Sequence, residues 1–238
     1  MTSKTVHPSF LGTRRGKLTL ALLCAVALLD FIDASIVNIA LPDMRADLHF
    51  SVQGLQWVLS GYLLTYGGFM LLGGRAGDLL GRRRVLLTGT TVFALSSLIG
   101  GFAGNAGMLV AARLAQGLGA AMMLPAALSL LTTSFKEGKD RNTALGVWGS
   151  VAGLASAAGV FLGGVLTEGP GWRWVLWVNP PIAVFLIGAI FVLIPVSVAG
   201  HRWRTSTFSA PCWSPAACCC SYTHWCKLPI RVGAPCAR

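Results

Sequence analysis

Between Leu18 and Gly200 the sequence falls into apolar blocks of about 20 residues or more, the length a helix needs to cross roughly 30 Å of hydrocarbon at about 1.5 Å per residue. A spanning barrel would instead show short segments of alternating polarity. Six blocks are legible, at about 18–41, 52–74, 85–104, 107–132, 143–167 and 175–198. They predict an all-α membrane protein whose domain is a six-transmembrane-helix bundle. Composition supports this solvent assignment: 54% of the 238 residues are hydrophobic and 11% charged, against roughly a quarter charged in soluble domains. The expected organisation is a cytoplasmic segment over 1–17, the bundle over 18–198 and an irregular tail over 199–238. The basic start before an apolar run is like a signal peptide, but no small-residue cleavage pattern follows it.

The net charge of +11 raises nucleic acid as a partner, so the placement of the basic residues has to decide. Lys4, Arg14, Arg15 and Lys17 precede the first span. Arg75, Arg82, Arg83 and Arg84 follow the second, and Lys136, Lys139 and Arg141 follow the fourth. The opposite loops hold Arg45 and Arg173. Lysine and arginine accumulate on the cytoplasmic side, which predicts both termini inside and a multi-pass protein of the cell's inner (plasma) membrane. Orientation accounts for the charge without nucleic acid, and the lipid bilayer is the expected partner.

The last 38 residues differ from what precedes them. They hold Cys212, Cys218, Cys219, Cys220, Cys226 and Cys236, whereas Cys24 is the only cysteine before residue 200. Adjacent thiols at 218–220 lack the paired spacing of structural zinc sites, and a cytoplasmic tail argues against disulfides. Disordered or frame-shifted sequence is the expectation there. No metal and no cofactor are expected anywhere. A membrane-embedded enzyme would need a nucleophile or metal cluster at membrane depth, yet His7, His49, His201 and His224 all lie outside the spans, so the chain is not expected to be an enzyme.

Asp30 and Asp33 lie inside the first block, where a carboxylate costs roughly 3 kcal/mol to insert. At about 100° per residue, Asp30, Asp33 and Asn38 fall within about 140°, a single polar face expected to point into the bundle. Two roles stay open for it, a polar packing patch or proton and substrate handling, since a carboxyl out of bulk water can load and release a proton. Arg113 is the one charge between Gly104 and Phe135 and needs a partner. It lies about six residues below the outer end of its span and Asp33 about eight below the end of the first, so similar depths predict a cavity common to both. The fifth block carries Gly146, Gly149, Gly153, Ala157, Gly159, Gly163 and Gly164. Small residues there allow close helix packing or a helix that bends.

Four segments carry a resemblance. Asp33-Ala34-Ser35-Ile36-Val37-Asn38-Ile39-Ala40-Leu41-Pro42 looks like an acid followed by T/S-I-V-N-V-A-L-P. Gly74, Asp78, Gly81, Arg82 and Arg83 match G-x-x-x-D-x-x-G-R-[KR]. Arg113-Leu114-Ala115-Gln116-Gly117 matches R-x-x-Q-G, and Trp172-Arg173-Trp174 with Asn179 and Pro181 matches W-R-W-x-x-x-x-N-x-P. In this order they resemble the major facilitator superfamily, specifically its EmrB/QacA-type drug:proton antiporters with fourteen spans, over about residues 18–198. The fifth-span motif departs from the family pattern, with Val160 where G-P-x-x-G-G has proline.

The resemblance implies a membrane transporter for proton-coupled efflux of a small hydrophobic or cationic substrate. It implies proton coupling at Asp33, Arg113 and Asp30, and a cytoplasmic gate at Gly74, Asp78, Gly81, Arg82 and Arg83. Gly153, Gly159, Gly163 and Gly164 would form the antiporter-motif helix. Trp57, Tyr62 and Gln116 would touch substrate, and Phe69 and Met70 could line the same pocket, although aromatics in a span more often serve packing or the interface. Because the resemblance covers one half of such a fold, the alternative expectation is a truncated remnant or a half-transporter that pairs with a second chain.

Overall fold

The computed structural model describes residues 12–135 and 137–194. The expectation of an irregular tail over 199–238 and the readings of its cysteines lie outside these residues, as does most of the 1–17 segment. The described chain is helical: α1 is Arg14–Leu48, α2 Val52–Leu80, α3 Arg82–Gly101, α4 Ala106–Ser134, α5 Lys139–Glu168, α6 Arg173–Trp177 and α7 Asn179–Leu193. With α6 and α7 counted together as Arg173–Leu193, six segments are long and apolar enough to cross a membrane.

Local signals start and stop these helices. Thr13, Ser51 and Asn105 cap α1, α2 and α4, their side-chain oxygens accepting from the amides of Gly16, Gly54 and Met108 at 3.1, 3.0 and 2.8 Å. The segment expected to turn between the second and third spans is shorter than its motif. Residues 74–80 stay helical, and Gly81 alone separates α2 from α3, at φ 96°. That conformation favours glycine, which explains why a one-residue turn can exist there.

The expected sixth span is broken. Leu176 and Trp177 would pass their carbonyls to the amides of residues 180 and 181, but Pro180 and Pro181 have no N–H. The chain therefore ends α6 at Trp177 and restarts α7 at Asn179.

α4 packs along both α2 and α3, while α5 lies against α1. Glycine sets the closest approaches. A methyl group added at Gly119 of α4 would lie 2.6 Å from the Phe93 amide nitrogen of α3, and one at Gly89 would lie 2.9 Å from the Gly119 carbonyl oxygen. With no hydrophobic effect between helices in lipid, such backbone contact supplies the packing energy. Two large apolar clusters and a small one, Cys24, Ala27, Leu124 and Val151, result. Of the large ones, one gathers Leu22–Leu29 with Val85–Ala94, Ala120–Phe135 and Ala183–Ile194; the other gathers Ile36–Phe50 with Val58, Leu109 and Trp172–Leu176. Asp33 and Arg113 belong to neither and fall, along their helices, between the two.

Candidate functional site

The two charges that sequence analysis placed at similar depth are in direct contact. Arg113 donates from Nη1 to Asp33 Oδ2 at 2.7 Å, with both side chains at most 1% exposed. They do not face each other across an open cavity, because side chains from three further helices close around them. Gln116, one turn along α4, accepts from Arg113 Nη1 at 2.7 Å and donates to Asp33 Oδ1 at 2.9 Å. Asn179, at the start of α7, donates to the same Oδ1 at 2.5 Å and to Ser97 Oγ of α3 at 3.1 Å. Ser97 in turn donates to the Leu176 carbonyl at 2.8 Å. The Val58 carbonyl of α2 accepts from Arg113 Nε at 3.4 Å. Three N–H groups therefore converge on Asp33, an arrangement suited to an ionised carboxylate, which can only accept.

Asp30 sits one turn away on α1, 3% exposed, and its partner is neutral: Tyr62 donates its hydroxyl to Asp30 Oδ1 at 2.6 Å. The guanidinium of Arg113 lies over the Tyr62 ring at 4.4 Å from its centroid, so Tyr62 touches both acid sites, by its hydroxyl and by its π face. Two buried polar atoms of this cluster have no partner, Arg113 Nη2 and Asn179 Oδ1.

The other expected site residues lie elsewhere. Asn38, assigned to the inward polar face, is exposed and donates to the Ala34 carbonyl of its own helix at 2.8 Å. A self-bonded amide needs no bundle partner, which corrects that expectation. Gln116, expected to touch substrate, is fully buried with both ends of its amide bound to Asp33 and Arg113, so this conformation presents none of it to a ligand. Tyr62 is likewise buried on Asp30. Trp57 is 53% exposed beside a cleft of about 410 Å³ that His49, Phe50, Val110 and Leu114 also line.

At the opposite end, Asp78 and Arg82 form an exposed pair at 3.5 Å. Arg82 also reaches the Ser129 carbonyl at 3.3 Å, and Arg83 the Phe191 carbonyl at 3.2 Å. Gly74 lies within α2, partly buried, and Gly81 makes the turn. In α5, Gly159 and Gly163 are buried against Ser35 and Ile39 of α1, whereas Gly153 is exposed and Gly164 half-buried with open space around it. With valine at 160, α5 runs unbroken from Lys139 to Glu168.

Sequence reasoning assigned no role to Ser97 or Asn179. Ser97 carries little signal, since α3 also contains Thr88, Thr90, Thr91 and Ser96. Asn179 stands in the W-R-W-x-x-x-x-N-x-P match, and it is the one amide side chain in an otherwise apolar final block.

The sequence profile described as Major Facilitator Superfamily matches residues 23–223, ending inside the stretch set apart as a tail. The chain is 47% identical over 202 residues to the cephamycin export protein of Amycolatopsis lactamdurans, covering 85% of this chain and 40% of that protein. It is 46% identical over 168 residues to the puromycin resistance protein of Streptomyces alboniger, covering 71% of this chain and 33% of that one. It thus spans two fifths or less of these relatives' lengths. Among solved structures, the crystal structure of a peptide transporter, POT, in complex with sulfate matches 77% of the chain and 38% of its own, with a TM-score of 0.67 at 15% identity. That likeness concerns the fold alone.

Proposed function

The chain belongs to the Major Facilitator Superfamily, and from that membership we propose that it is the N-terminal bundle of a proton-coupled exporter of small drug-like molecules. The observation that carries this reading is the Asp33–Arg113 pair, wholly buried at 2.7 Å between two apolar clusters. A buried ion pair contributes little to stability compared with apolar residues of the same volume. Its retention within a membrane bundle fits a group that must change charge. In this reading Asp33 carries the proton, and Arg113 is released when it does. Asp30 is the second acid, tied to the first through Tyr62.

Relatives named for cephamycin export and puromycin resistance support a small-molecule cargo. The basic residues crowded at one end of the bundle support cytoplasmic termini in the plasma membrane. Asp78, Arg82 and Arg83, with Gly74 and Gly81 shaping their turn, would gate the cytoplasmic side. Gly159 and Gly163, which meet α1, would let α5 slide on it, while Gly153 and Gly164 would leave the helix free to bend. A second bundle, in the same chain or another, would supply the opposite wall of the substrate path, since alternating access needs two halves. Apolar side chains such as Leu71 of α2 (86% exposed) and Phe161 of α5 (72%) are uncovered and suit such a neighbour.

The test is uptake of a fluorescent lipophilic cation into liposomes acidified inside, holding this chain alone or with the remainder of a relative. We expect accumulation that collapses with a protonophore and is absent in Asp33→Asn. Accumulation unaffected by both would refute the proposal.

A further inference from the structure

We infer that Asn179 is the positioning residue that reads whether Asp33 carries a proton and passes the answer, through Ser97, to the break in the sixth span. This rests on the reading of Asp33 as the proton-carrying group. Two amides donate to Asp33 Oδ1, and they are held differently. Gln116 is bound at both ends, its oxygen by Arg113 and its nitrogen by Asp33. Asn179 is bound at one end only: Nδ2 donates to Asp33 and Ser97, while Oδ1 is buried without a partner. A half-turn of the Asn179 amide therefore gives up only the two bonds of its own Nδ2, and nothing holds its Oδ1 in place.

A proton taken from water onto Asp33 Oδ1 makes that oxygen a donor. Gln116 cannot turn to accept from it without losing Arg113. Asn179 can, and turned, it presents Oδ1 to the new O–H. The same turn replaces the donor facing Ser97 Oγ by an acceptor, so the Ser97 hydroxyl swings toward Asn179 and leaves the Leu176 carbonyl. Besides the Val178 N–H, whose main bond is to the Trp174 carbonyl, that carbonyl has no backbone donor from the helix, because its helical partner would be the amide of residue 180, which is proline. Ser97 stands in for the missing N–H. Its withdrawal leaves a buried carbonyl at the α6–α7 break with only a share of the Val178 N–H, and the segment loosens.

The outer end of this segment is anchored. Trp172 Nε1 and Arg173 Nη1 donate to Asp47 of α1 at 3.1 and 2.7 Å. Loosening at Leu176 therefore acts on the piece of chain that ties α6 to the end of α1. The ionisable groups facing Asp33 are Asp30 on its own helix, Tyr62 on α2 and Arg113 on α4. α3 has none between Arg84 and Gly101, α5 none between Arg141 and Glu168, and the sixth span none from Trp174 to Leu193.

The test is hydrogen–deuterium exchange of the peptide covering Arg173–Asn179 in the full chain embedded in lipid nanodiscs, measured across a pH series and normalised for intrinsic amide chemistry. Wild type should exchange about tenfold faster on the acidic side, the equivalent of one lost hydrogen bond. Asp33→Asn, neutral at every pH, and Ser97→Ala, which removes the stand-in donor, should both be fast throughout. Asn179→Leu should lose the pH response. A response that needs Asp33 but survives in Asn179→Leu overturns this inference and leaves the proton reading standing. A wild-type response in Asp33→Asn refutes the proton reading itself. Should Asn179→Leu not fold, Ser97→Ala decides alone, because slow, pH-dependent exchange in that variant is incompatible with the relay.

Discussion

Arg113 has no water to fall back on, and its neighbours read as a specification for guanidinium. One side chain serves Asp33, Gln116 and the Val58 carbonyl while lying on the Tyr62 ring. Replacing it with leucine strands a buried carboxylate, and we expect a loss of about 3–5 kcal/mol, measured by chemical denaturation in detergent. Arg113→Lys should recover only part of this, because a single ammonium cannot reach all of those acceptors at once. Tyr62→Phe is a finer probe. It keeps the ring beneath Arg113 but removes the one hydroxyl donor to Asp30 among the described residues, so stability should fall by about 1–3 kcal/mol. A variant as stable as wild type would mean that Asp30 is satisfied by something other than Tyr62. The polarity of α1 was readable at this scale for Asp30 and Asp33 and misread for Asn38. An acid has no donor of its own to close a local bond, so it must find a partner across the bundle; an amide can bond back to its own helix and stay outside.

At the scale of the helices, glycine pattern decides contact, yet pattern alone does not say which glycine matters. The fifth span carries the most conspicuous glycine run, but the tightest backbone approaches lie on α2, α3 and α4, where Gly73 meets Ala121, Gly117 meets Tyr62 and Gly119 meets Phe93. A side chain at Gly119 meets backbone, which cannot step aside. Gly119→Val should therefore abolish a monodisperse folded preparation on gel filtration, while Gly153→Ala, with open space at its Cβ, should leave yield and thermal midpoint unchanged. The break in the sixth span belongs to the same scale. Two adjacent prolines made a break foreseeable, but the hydroxyl that repairs it comes from Ser97, 79 residues away in sequence.

For the whole molecule the arrangement of charge makes the clearest prediction. In a cysteine-free background, Gly104→Cys in the α3–α4 turn should react with an impermeant maleimide added to intact cells. Glu137→Cys, beside Lys139 and Arg141, should react only after the cells are opened. Labelling in the reverse order would overturn the orientation. The exposed apolar faces of α2 and α5 belong here too: in a membrane they meet either lipid or another helix.

The sequence by itself determined the solvent, the number of spans, their order and the family. Hydrophobic length, loop charge and short-range motifs are local quantities that do not depend on how helices pack. Only the tertiary structure decided which polar groups meet. Asp33, Ser97, Arg113, Gln116 and Asn179 come from four separate helices, and a hydrogen bond is satisfied or lost over a few tenths of an ångström, a precision that no periodicity along one helix encodes.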